Sequence, residues 1–307
     1  MDDMSTRVGL AVPQVTADGS PSAAELAAFA RRAEEAGFDG LWVCELTSAP
    51  ILDPLNLLAY AAAGTTRVRL GVAVLLTPLR VPYQLAGELA TIDRLSEGRL
   101  DVGVGLGGGT GIYPRYGVPA ERRLRRYLDG LELLRRLWTE ERVTFRNEWW
   151  QLDDVPAVVR PVQWPHPPLW FGARRGRALR RAAELGDAWI GSGSTPPTEF
   201  LEALTTVRDH LDALGRERAA FTIGKRMYIH VTDDPGSARE RARSWFAANY
   251  GNADLADRVA LVGEPEHCVT ELRGLRRAGV DMFLLNPMFE ERDQLELLAA
   301  DVVPQLG

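Results

Sequence analysis

The chain has 307 residues, of which 46% are hydrophobic and 25% charged, and its formal net charge is −6. That is enough apolar material for one large α/β barrel or two ordinary domains, and the acidic balance argues against nucleic acid as a main partner, since phosphate binding needs a cationic face. Two cysteines, Cys44 and Cys268, cannot build a disulfide framework, no apolar run approaches the length of a transmembrane helix, and no signal-peptide pattern opens the chain, so a reduced, cytoplasmic setting without a membrane is expected.

Along the chain, short β-branched runs alternate with helical periodicity. Arg7 to Pro13 reads as a first strand and Ser22 to Ala36 as a helix that Gly37 ends. Phe38 to Glu45 is a second strand, and Asp53 caps a helix over Pro54 to Ala63 with proline at its favoured first position. Val68 to Leu75 is a third strand, Val81 to Leu95 a third helix, and Leu100 to Leu106 a fourth strand that runs into Gly107, Gly108 and Gly109. Strands this apolar are covered by helices on their outer face, the mark of a parallel sheet.

The pattern then pauses. Glu121 to Thr139 reads as a long charged helix, VTFRNEWWQLDD as a small hairpin, and Pro156 to Pro168 as a proline-rich run. The alternation resumes with a strand at Pro168 to Gly172, a helix at Arg177 to Leu185 and a strand at Ala188 to Ile190. A helix at Pro197 to Leu214 and a strand at Phe221 to Val231 follow. After a second interruption, Ser237 to Arg258, come a helix at Glu266 to Arg277, a strand at Val280 to Leu285 and a helix at Gln294 to Val302. The strands and helices point to a single (β/α)₈ TIM barrel over 1–307, with insertions around 111–165 and 233–262. An open doubly wound sheet is the alternative, although no G-x-G-x-x-G with a following acidic residue is present.

In such a barrel, function collects at the carboxyl ends of the strands. Those ends carry Gln14, Cys44, Glu45, Ala73, Val74, Gly105, Leu106, Gly107, Gly108, Gly172, Ala173, Arg174, Gly176, Gly191, His230 and Asn286. No histidines and acids stand at metal spacing, so no metal site is expected. Glu45 is the one carboxylate ending an otherwise apolar strand. It reads as an acid/base or cofactor-contacting group with a pKa raised by burial, or as a cap or loop ion pair. Cys44 reads as a nucleophile or as a small buried residue. The helix starting after Gly176, flanked by Arg174, Arg175 and Arg177, offers a phosphate site. Tyr113, Tyr116, Trp245, Phe246 and Tyr250 could roof a flat ligand or pack inside the interruptions.

The blocks AGFDGLWV, TTRVRLGVAV, ATIDRLSEGRLDVGVGLG, LRRLWTEERVTFRNEWWQL, PVQWPHPPLWFGA and ALRRAAELGDAW, in this order, resemble the bacterial luciferase-like monooxygenase family, which includes users of the deazaflavin coenzyme F420. The resemblance covers most of the chain. It implies a barrel with insertions, usually homodimeric, that holds a flavin or deazaflavin at its carboxyl face. It also implies a cis peptide bond at Ala73–Val74 behind the ring. Gly105 and Gly107 to Gly109 would lie along the ribityl chain, and Gly172, Ala173, Arg174 and Gly176 would cradle the phosphate. Relatives carry a histidine after strand two, where this chain has Glu45 and Leu46; the catalytic weight therefore moves to Glu45.

Three functions follow from this reading. The first is hydride transfer between reduced coenzyme F420 and a small organic substrate, with Gln14, Tyr113, Trp245 and Tyr250 around that substrate. The second is an FMN-dependent monooxygenase fed by a partner flavin reductase, and the third is a non-catalytic flavin-binding barrel.

Overall fold

The computed structural model describes residues 6–14, 21–46 and 50–306. Its first βα units are β1 (Arg7–Ala11) with α1 (Ala23–Glu35), β2 (Gly40–Val43) with α2 (Pro54–Gly64), and β3 (Arg69–Leu75) with α3 (Pro82–Leu95). Strand β4 (Leu100–Val104) and α4 (Arg123–Thr139) come next, and then an antiparallel pair, β5 (Arg142–Arg146) with β6 (Gln151–Pro156), outside the main sheet. The main sheet resumes with β7 (Leu169–Gly172), α5 (Arg177–Leu185), β8 (Ala188–Gly191), α6 (Pro197–Ala213) and β9 (Thr222–Val231). After these come α7 (Pro235–Tyr250), α8 (Ala256–Val259), β10 (Ala260–Gly263), α9 (Pro265–Ala278), β11 (Met282–Pro287) and α10 (Glu291–Leu297).

The strands β1, β2, β3, β4, β7, β8, β9 and β11 pair in parallel in that order, and β11 pairs back onto β1. This closure makes the (β/α)₈ barrel and removes the open doubly wound alternative. Local sequence explains how the units start. Ser22 and Glu25 form a capping box on α1, and Asp53 accepts from the Asn56 N–H with Pro54 in the first turn of α2.

Two elements differ from expectation. The interruption at Ser237 to Arg258 contains a regular helix, α7, capped by Asp234 on the Ser237 N–H. A proline at the first turn after an aspartate was the available signal. Strand β10 was not expected either. It takes the edge of β9 at Tyr228–Val231, where the four-residue β8 has already ended.

The lower half of the barrel is solid. Trp42 fills it and meets Trp170 edge to face at 5.3 Å, with Ile190, Met282 and Leu284 around them. Gly71 makes this possible, because a Cβ there would stand 2.3 Å from the Trp42 ring. Asp101, 3% exposed, pairs with Arg69 at 2.6 Å and accepts from Trp170 Nε1. With this plug below, only the upper half of the barrel is open to a ligand.

Candidate active site

A cavity of about 440 Å³ opens at the carboxyl ends of the strands. Its wall takes Cys44 and Glu45 after β2, Ala73, Val74 and Leu76 from β3, and Gly105 to Gly108 after β4. Phe171 to Arg174, Ile190 to Gly193 and Arg226 complete it from β7, β8 and β9, with Leu124 and Tyr127 of α4 and Ala178 and Arg181 of α5 on the lips. Its size suits a cofactor or a drug-sized molecule.

The floor is shaped by an irregularity in β3. The register against β4 slips between Val72 and Leu75, and the Ala73–Val74 peptide bond is cis. The neighbouring strands make room with glycine. A Cβ on Gly105 would stand 2.5 Å from Val74, and one on Gly172 would stand 3.1 Å from it. Gly105 thus yields to a protein side chain, and Gly172 is in tight contact with the same one. Gly107, by contrast, has φ +82, and a Cβ on Gly108 would meet no protein atom within 4 Å. Both Gly107 and Gly108 line the cavity, Gly107 in a conformation that favours glycine and Gly108 with open space beside it.

Glu45 lies in the wall, but both its oxygens are engaged. Oε1 accepts from Arg80 Nη2 and Oε2 from the Leu76 N–H, each at 2.5 Å. The carboxylate ties the end of β2 to the turn that follows the β3 irregularity, so its evident work is bracing. Glu45→Gln keeps an acceptor for Leu76 and leaves Arg80 only the more distant Asp53, at 3.9 Å, as counter-charge. The variant should lose about 1.5–3 kcal/mol of stability in urea melts while the pH profile of turnover keeps its shape. Loss of one limb of that profile would restore Glu45 as the proton-handling group.

The four residues expected around the substrate lie outside this cavity's wall. Gln14 is 5% exposed and spends its amide on backbone, donating to the Cys44 and Leu52 carbonyls and accepting from the Cys44 N–H. Tyr113 is fully buried beside Leu76, Leu79 and Val118, with its hydroxyl on the Leu106 carbonyl. Trp245 and Tyr250 pack round Tyr228, and Trp245 also lines a separate open hollow with Arg241 and Phe289. None of the four is part of the main cavity wall.

At the expected phosphate end the arginines divide. Arg174 lines the cavity and donates to the Ser194 carbonyl and the Thr195 hydroxyl, Arg175 pairs with Glu199, and Arg177 is exposed. Gly176, at φ +52, precedes α5 without lining the cavity. Beneath the same loop lies Lys225, 2% exposed, whose ammonium donates to the Ser192 and Thr195 carbonyls at 2.6 and 3.0 Å. Burial, with Arg174 and Arg226 nearby, pushes its pKa down to about 7. Neither Lys225 nor Arg226 was singled out from sequence, although two adjacent cations inside an apolar ten-residue strand are a visible signal. Among the described residues no group of histidine, cysteine or acid side chains could hold a metal.

The sequence matches the luciferase-like monooxygenase family over residues 6–282. The chain belongs to that family. A relative from Kineococcus radiotolerans, named F420-dependent glucose-6-phosphate dehydrogenase, is 32% identical over 92% of this chain and 93% of its own. The 4-hydroxyprotoasukamycin monooxygenase of Streptomyces nodosus subsp. asukaensis is 28% identical over 89% of this chain and 84% of its own. Among solved structures, monooxygenase RslO1 from Streptomyces bottropensis superposes with a TM-score of 0.84 at 27% identity, covering 98% of this chain and all of that one. The luciferase-like barrel is thus an enzyme, an oxidoreductase, and the non-catalytic reading is set aside.

Proposed function

We propose that this luciferase-like protein is a hydride-transferring oxidoreductase that uses reduced coenzyme F420 on a small organic substrate. The observation that carries the proposal is the division of the cavity wall. Apolar backbone and side chains at Ala73, Val74 and Leu76 suit a flat ring, while cavity-lining backbone at Gly107 and Gly108 leads toward the cations Arg174 and Arg181. The donor set fits a phosphate-bearing flavin-like molecule. Ala73, Val74 and Gly105 to Gly108 would hold its ring and chain, and Gly172 to Arg174 with Gly191 to Gly193 its phosphate. When bound, the reduced deazaflavin supplies a hydride. The chain's own residues position and enclose the reactants. Glu45 and Arg80 fix the β3 turn, Tyr127 and Leu124 cover the lip, and Arg226 remains cationic and donates hydrogen bonds without giving up its proton.

Two observations favour the deazaflavin, whose phosphate continues into an acidic tail. The relative from Kineococcus radiotolerans carries an F420-dependent name. The cavity lips, α4 and α5, also present exposed Arg122, which pairs with Glu148, half-buried Arg123, which donates to the Gly109 carbonyl, and exposed Arg177 at their N-terminal ends. The monooxygenase relatives favour the second reading, FMN with oxygen and a reductase partner. Titration of the purified protein followed by flavin fluorescence should show F420 binding at least about ten-fold tighter than FMN. FMN-dependent oxygen uptake, or tighter FMN binding, would replace the first reading with the second. The proposal includes the homodimer, for which the exposed side chains of Val81, Tyr83, Leu95 and Trp164 are candidate apolar contacts.

A further inference from the structure

Strand β9 places the adjacent Lys225 and Arg226 on opposite faces of the barrel wall, as a two-residue repeat requires. Lys225 points under the loop after β8, beside the Phe200 ring of α6, and Arg226 lines the cavity. The Arg226 guanidinium donates through Nε and Nη2 to Asn286 Oδ1, the former at 2.9 Å, and lies 5.1 Å from the Tyr228 ring centroid. Asn286 is itself oriented by its Nδ2, which donates to the Pro287 carbonyl at 2.8 Å. The Tyr228 hydroxyl is bonded to that of Tyr250.

These partners are all neutral. Of the other arginines near the barrel wall, Arg69 on β3 has Asp101 and Arg80 after β3 has Glu45, while Arg7 on β1 donates to the Thr222 hydroxyl. Among the described residues no carboxylate lies within 4.0 Å of Arg226; Nε and Nη2 share Asn286 Oδ1, the Cys44 thiol is a further neighbour, and Nη1 has no oxygen partner. Enclosing a guanidinium without a counter-charge is costly, and an incoming oxyanion would remove that cost. Nη1, and the second N–H of Nη2, can donate to a carboxylate or phosphate oxygen.

We propose that Arg226 is the anion-recognising residue of the substrate site, and that the substrate carries an oxyanion, a carboxylate or a phosphate. The assignment rests on the reading of the Arg174 end as the cofactor's, which leaves the Cys44 and Arg226 end for the substrate. Asn286 and the Tyr228–Tyr250 pair hold the guanidinium in place. Tyr250 thereby acts on the substrate site through Arg226 and not by touching the substrate itself.

The test uses the full chain without added cofactor, titrated with benzoate and with benzamide, its neutral counterpart of the same shape, and read by tryptophan fluorescence. Wild-type protein should bind benzoate at least about ten-fold more tightly. Arg226→Gln should bring the two ligands to equal affinity, Arg226→Lys should retain part of the preference, and Arg174→Gln should leave it intact. Equal affinity in the wild type, no benzoate binding, a preference that survives Arg226→Gln, or its loss in Arg174→Gln would each overturn the proposal. If Arg226→Gln does not fold, the Arg226→Lys and Arg174→Gln pair decides. Phenyl phosphate in place of benzoate distinguishes a phosphorylated substrate from a carboxylate. A wild type that keeps the benzoate preference but takes neither F420 nor FMN would sink the cofactor reading alone.

Discussion

Gly103→Ala should cost the protein about 3–5 kcal/mol, enough to leave a domain of ordinary stability largely unfolded at moderate temperature. An added Cβ would stand 1.9 Å from the Val72 carbonyl oxygen and 3.1 Å from Val74 Cγ1. The first of these atoms is backbone, so no side-chain rotation relieves the clash. Either β3 moves away from β4 or the pairing Leu70–Leu100 to Val72–Val102 breaks. Gly108→Ala is the matched control five residues along the same segment. No protein atom lies within 4 Å of its added Cβ, so its stability should change by no more than about 0.5 kcal/mol. The control should instead weaken binding of F420, because the methyl group stands where ligand would lie. Urea melts and cofactor titration of the two variants check both halves. Equal losses of stability would mean that the glycines share one structural role.

That contrast shows how far the sequence was legible. Gly105 and Gly107 to Gly109 read as one feature, bare backbone offered to a ligand. In the folded chain they differ: Gly105, like Gly103 within β4, yields to β3, Gly107 takes a positive φ beside Leu76, and Gly108 faces open space. Nothing in a run of glycines reports which job each has, because the deciding atoms belong to Val72 and Val74 on another strand. The barrel itself was readable, since the βα units carry their own periodicity and the first two their own caps, Ser22 with Glu25 and Asp53 with Pro54.

Side-chain pairings across the barrel were hidden for the opposite reason. Glu45 finds Arg80 thirty-five residues away and Arg226 finds Asn286 sixty residues away, contacts that only closure of the sheet creates. A carboxylate ending an apolar strand looks like an acid or base until its guanidinium is known. Tyr113, Trp245 and Tyr250 looked available because they stand in interruptions of the βα pattern. Those interruptions have small cores of their own, around Leu76 with Leu79 and around Tyr228 with Phe246.

Lys225 should make stability depend on pH in a way that Lys225→Met removes. Its folded-state pKa of about 7 lies well below the ordinary lysine value of about 10.4. Between these values the unfolded chain holds one more proton than the folded chain at this site, so stability rises with pH by about 1.4 kcal/mol per unit. Below pH 7 both states are protonated, the slope disappears, and the whole burial penalty of about 5 kcal/mol opposes folding. Methionine fills similar space, cannot titrate, and gives up the bonds to the Ser192 and Thr195 carbonyls. The absolute difference between the two proteins therefore combines opposing terms, but its pH dependence belongs to the ammonium. Subtracting the two urea-derived stabilities cancels other titrating groups such as His230. The wild type should gain on the variant by roughly 2–3 kcal/mol between pH 7 and pH 9, and parallel curves would refute the assignment. An anion seated above the loop would favour the charged lysine, so inorganic phosphate should flatten the wild-type slope and leave the variant's unchanged.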